Sequence, residues 1–127
     1  MSKRFMWIGA VILVVLASLI GCSRPNLYSG KSSYWNIECS VNEPANVKKY
    51  SITYIGEDRL PVSDVQYTFK NSSNFQESGQ HKGPTEKLKI SGKATLSAPY
   101  VNEGSMAVQI RWNDKEETVT LTKQPKE

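Results

Sequence analysis

Few side chains in this sequence are of a type and spacing that support catalysis. The one histidine, His81, lies in Ser78-Gly79-Gln80-His81-Lys82-Gly83. A general base needs a rigid partner to orient it, and a run of small and polar residues offers none, so His81 reads as a solvated loop residue. Glu57-Asp58 and Glu116-Glu117 are adjacent carboxylate pairs at expected turns. Neighbours in extended chain point to opposite faces, so neither pair converges on one substrate. Asn113, Asp114 and Glu116 offer oxygen ligands, but the glycine and spacing of a calcium loop are missing. The sequence contains no G-x-S-x-G, H-E-x-x-H, phosphate-cradling glycine loop or C-x-x-C. The expectation is therefore no catalytic residue, no metal site and no cofactor, and a chain that is not an enzyme.

The two cysteines have different settings. Cys39 alternates with apolar neighbours and reads as a buried thiol acting as a small hydrophobe. Cys22 closes an apolar stretch: Lys3 and Arg4 precede sixteen uncharged residues, 5 to 20, which is the layout of a secretory signal. The run is shorter than the roughly 20 residues that span a bilayer comfortably. Leu19-Ile20-Gly21-Cys22 resembles the lipobox of bacterial lipoproteins. That resemblance implies a diacylglycerol on the Cys22 thiol, cleavage just after Gly21, and Cys22 as the mature N-terminus with its acyl (palmitate-type) chains in the membrane. It also implies a place on the outer face of the bacterial cytoplasmic membrane, or on the outer membrane in a diderm, where Ser23 is not the aspartate of a retention signal. The competing reading is an uncleaved signal anchor. One acyl chain holds only marginally and two hold stably, so no amphipathic helix is needed for attachment.

Residues 23 to 32 (SRPNLYSGKS) hold a proline, a glycine and three serines without apolar period, and read as a flexible tether. Beyond them the period becomes two. Trp35, Ile37, Cys39 and Val41 share one parity, then Tyr50, Ile52 and Tyr54, then Val65, Tyr67 and Phe69. Leu88, Ile90, Ala94 and Leu96 continue the pattern through Gly92 as one strand, with a hairpin at Ser91-Gly92 as the alternative. Met106 to Trp112 and Val119 to Leu121 make a hairpin about Asn113 to Glu116. Residues 71 to 87 read as a long loop. No helical period follows Cys22, so the mature chain is expected to be all-β. About six or seven strands with one apolar face each are best satisfied by a two-sheet, immunoglobulin-like β-sandwich, with a small closed barrel as the alternative. The expected organisation is signal peptide 1–21, lipidated Cys22 and tether 22–32, and sandwich domain 33–124. The segments SYWNIECSV, YSITYIGE and IRWNDKEETVTL are similar to a broad group of small Gram-positive lipoproteins, a resemblance that implies no functional residues.

The formal charge is +4, and without Lys3 and Arg4 the chain keeps 14 basic and 12 acidic residues. That small excess does not point to nucleic acid. Lys87, Lys89 and Lys93 share the outward side of one expected strand, where lysines commonly guard a sheet edge. Phe75 and Tyr100 are the aromatics that strand parity explains least, and aromatics on loops serve as binding anchors. The alternative is that each folds back on to the core. The function expected is a membrane-anchored extracytoplasmic binding or interaction module, with the membrane as partner through Cys22 and a protein or cell-wall partner besides. The second expectation is a structural or protective envelope protein, in contact with cell wall or inhibiting a secreted enzyme.

Overall fold

A computed structural model describes residues 24–57 and 61–125. The expected signal peptide, Gly21 and Cys22 lie outside the described residues. The described residues are all-β: β1 Asn26–Lys31, β2 Trp35–Asn42, β3 Val47–Tyr54, β4 Val65–Lys70, β5 Ser78–His81, β6 Lys89–Thr95, β7 Ser105–Trp112 and β8 Lys115–Lys123. Strand pairing is antiparallel throughout, in the order β5-β4-β7-β8-β1-β2-β3-β6. The hydrogen bonds thus draw one continuous sheet of eight strands, in place of the two sheets expected.

Two of the strands come from segments read as irregular. Residues 26–31, assigned to the tether, pair along their full length with β2, Asn26 opposite Val41 through Lys31 opposite Asn36. Tyr28 supplies the buried side chain that anchors this strand, 1% exposed, and its hydroxyl donates to Glu103 O at 2.8 Å. A strand of six with two buried side chains, Asn26 and Tyr28, leaves too short an apolar pattern to read as periodic. β5 likewise has no large apolar residue, and is held by its pairing with β4. By contrast β6 runs through Gly92 as a single strand, as expected.

The sheet wraps round one core. Strands lie about 4.8 Å apart, so β3 and β4, five steps apart in the order, would be separated by about 24 Å if the sheet were flat. Instead the rings of Tyr50 on β3 and Phe69 on β4 lie 5.2 Å apart. Trp35 on β2 meets Trp112 on β7 edge to face at 5.4 Å. The sheet therefore divides into a half β5-β4-β7-β8 and a half β1-β2-β3-β6, which face each other through the core. They join by backbone at the β1–β8 seam, where only Tyr28–Lys123 and Ser29–Thr122 are in register. Gly30 permits this approach: a Cβ there would overlap the carbonyl oxygen of Thr120 and Cδ2 of Leu121.

Turn chemistry sets the hairpins. Asn113 and Asp114 between β7 and β8 have φ of 44° and 62°, the left-handed pair that matches strand twist in a two-residue hairpin. The Asn113 side chain accepts from Ser63 N at 2.9 Å and donates to Pro61 O at 3.2 Å, fastening the turn to the segment before β4.

Candidate functional site

The two candidate binding aromatics are both turned inward. Phe75 is fully buried, stacked on Phe69 at 5.3 Å, with Lys48 Nζ 5.7 Å from its ring centre. It is a core residue. Its loop is held by Glu103 Oε1, which accepts from Ser73 N at 2.9 Å, Asn74 N at 3.1 Å and Asn74 Nδ2 at 2.7 Å. Apolar burial drives the ring in, and this clasp satisfies the backbone just ahead of it. Tyr100 packs against the core, and its hydroxyl lies 2.6 Å from that of Tyr28. Burial first, then that hydrogen bond, pushes its phenol above the ordinary range. The fold-back alternative accounts for both.

Other candidates resolve in the same way. His81 sits on edge strand β5, not in a loop, with Nε2 2.8 Å from Thr85 Oγ1. Cys39 is buried, and burial, then Glu77 and Glu38, pushes its thiol from 9.0 to about 12. A thiol held protonated is a poor nucleophile at neutral pH. Nearby, Lys48 pairs with Glu77 and donates to Asn74 O at 2.9 Å, so the inward lysine completes a polar plug between the halves. Among the described residues no three His, Cys, Asp or Glu side chains gather as a metal site.

The exposed chemistry lies on the outer face of the half β1-β2-β3-β6. Because Cys39, Tyr50 and Ile52 face the core, the residues between them face out, and the register lines them up in rows. Leu27, Ser40, Lys49 and Lys93 form one row, each opposite the next across β1, β2, β3 and β6. Ser29, Glu38, Ser51 and Ser91 form the second, and Lys31, Asn36, Thr53 and Lys89 the third. Leu27, Glu38, Ser40, Lys49, Lys89 and Lys93, with serines between them, line a shallow trough of about 570 Å³.

Lys49 and Lys93 are directly opposed and exposed, and like charges so placed destabilise a sheet. Among the described residues neither is in an ion pair. Ammonium groups and serine hydroxyls supply several donors beside the Glu38 carboxylate, a chemistry suited to phosphate or carboxylate oxygens. Edge protection accounts for Lys89 and Lys93 on β6 but not for Lys49, which lies on the interior strand β3. Lys87 stands apart from this face, in the turn before β6 with φ 51°.

Reasoning from the sequence reached Lys89 and Lys93 and missed Lys49. Parity with Tyr50 and Ile52 turns Lys49 outward, but only register sets it beside Lys93. No family model, curated protein or solved structure matches the chain.

Proposed function

We propose that this chain is a lipid-anchored extracytoplasmic binding module, without catalysis, whose ligand carries anionic oxygens. Cys22 bears the anchor, and Gly21 precedes the cut. The observation that carries the binding half is the Lys49–Lys93 pair, two exposed lysines in direct register without an ion pair among the described residues, on a face that also carries serines. The N-terminal layout of Lys3, Arg4, the uncharged run 5 to 20 and Cys22 supports the anchor and the location outside the cytoplasmic membrane. We read the two half-sheets as the layers of an immunoglobulin-like sandwich open at the β1–β8 corner, which is supported by the meeting of Trp35 and Trp112 across the core.

Metabolic labelling of cells with an alkyne fatty acid tests the anchor: the wild-type chain takes up label and Cys22→Ala does not. A wild-type chain that carries no label and retains residues 1–21 overturns it. For the binding half, a soluble polyphosphate should bind the purified chain with an affinity that falls as salt rises, since exposed charges are screened within a Debye length.

A further inference from the structure

We infer that the anion met by the trough is the headgroup layer of the membrane that holds the chain, with the Leu27–Lys49–Lys93 row and the adjoining end of the domain lying against it. The inference rests on the anchored, anion-binding reading above and names its ligand. Chain length is the first argument. β1 begins at Asn26, so only Ser23, Arg24 and Pro25 separate Cys22 from the sheet. Four residue steps span at most about 14 Å, in place of the longer reach of a ten-residue tether. Whether Cys22 carries lipid or the apolar run stays as an anchor, the start of β1 is held close to the bilayer surface.

The second argument is what surrounds that start. Leu27 and Val101 are the exposed large apolar side chains among the described residues, at 46% and 47%. Leu27 is the second residue of β1. Val101 lies in the loop whose Tyr100 and Glu103 contact Tyr28, so both are at the anchored end. Lys49 and Lys93 share the row of Leu27, and Arg24 is exposed just ahead of β1. An exposed apolar side chain, Leu27, with Lys49 and Lys93 in its row and Arg24 just ahead of its strand complements an anionic interface, where each added Lys or Arg shifts docking by on the order of five-fold. Of the carboxylates at this end, Glu43 accepts from Asn26 Nδ2 at 2.8 Å and Glu103 is engaged by the 72–75 loop. Glu38 lies one row farther. Lys31 lies about 13 Å along the strands from the Leu27 row, beyond the Debye length of about 8 Å and outside the trough lining, and serves as the internal control, whereas Lys89 borders the far end of the trough.

The test reconstitutes the full chain in vesicles of phosphatidylcholine, with or without phosphatidylglycerol, and measures acylation of each lysine by an amine-reactive reagent. Phosphatidylglycerol should slow Lys49 and Lys93 by about ten-fold or more and leave Lys31 within about two-fold, the contrast that screening predicts. Lys49→Gln with Lys93→Gln should remove most of the docking without loss of thermal stability, since the pair repels. Equal slowing of Lys49, Lys93 and Lys31 overturns the inference. So does protection of Lys49 and Lys93 by soluble polyphosphate on neutral vesicles with none from phosphatidylglycerol, which leaves the anion-binding reading standing. Protection by neither overturns both.

Discussion

The two half-sheets meet along two borders, and the borders are closed by different means. At the β1–β8 border the backbones themselves come together, with Gly30 against Thr120 and two residue pairs in register. At the opposite border, between β3–β6 and β4–β5, the closure is made by side chains. Tyr50 and Tyr67 share a hydrogen bond of 2.8 Å between hydroxyls, and each ring lies over a glycine of the neighbouring edge strand, Gly92 for Tyr50 and Gly79 for Tyr67. Below them Phe69 and Phe75 stack, and Lys48 pairs with Glu77. A backbone border tolerates no added atom, whereas a side-chain border responds to the loss of atoms. That difference predicts which substitutions harm each.

The largest expected effect is at the side-chain border. Phe75→Ala should cost about 4 kcal/mol, because a fully buried ring leaves a cavity that its neighbours fill only in part; chemical denaturation reads this, and a loss below 1 kcal/mol would mean that Phe75 is not part of the core. Next comes Lys48→Met, which leaves Glu77 facing the interior without its cation, at a cost of about 3 kcal/mol. The double change Lys48→Met with Glu77→Leu should recover most of that stability, because two apolar side chains replace the ion pair. If the double variant is as weak as the single, the pair is not what holds this border.

At the backbone border Gly30→Ala should cost about 2 kcal/mol by forcing β1 away from β8, and amide exchange should speed up at Tyr28 and Ser29 before it does in β4–β7. A neutral Gly30→Ala would erase the contrast between the borders. The smallest effect is that of Tyr67→Phe, about 1 kcal/mol for one hydrogen bond. It carries a spectroscopic signature, because the Tyr50 phenol is pushed above 10.0 by burial first and by its bond to Tyr67 second. Loss of the partner should move the Tyr50 ionisation, followed by ultraviolet absorbance, to lower pH. The wild type should also weaken in alkali. Cys39 and Tyr50 have folded pKa values above their unfolded ones, so their contribution is complete below about pH 9 and is lost as pH rises toward 12 and beyond.

Much of the β pattern was legible from alternation alone. β2, β3, β4, β7 and β8 fall where apolar residues recur at every second position, because each of those strands buries one face, and β6 kept the period although Ile90 is only half-buried and Ala94 exposed. β1 and β5 were not legible, for the physical reason that β5 has no large apolar side chain and β1 buries a single large one, Tyr28, too few to make a period. Phe75 misled in a similar way. An aromatic in a polar loop offers no period, and only the clasp at Glu103 shows that the loop bends to bring the ring inside. The Lys48-Lys49 pair was readable in parity, one residue in and one out, but not in consequence, since the inner lysine takes its meaning from Glu77 and the outer from Lys93.

By itself the sequence determined the all-β class, the inward and outward sides of the longer strands, and the charged N-terminus, apolar run and Cys22 that suggest a membrane anchor. Those are local properties, written in periods of two and in runs. Tertiary structure alone decided that eight strands make one wrapped sheet, that the apparent tether begins that sheet, and that Leu27, Ser40, Lys49 and Lys93 stand in one row. Register and wrapping depend on which distant residues share a core, and that sharing is settled only when the chain closes on itself.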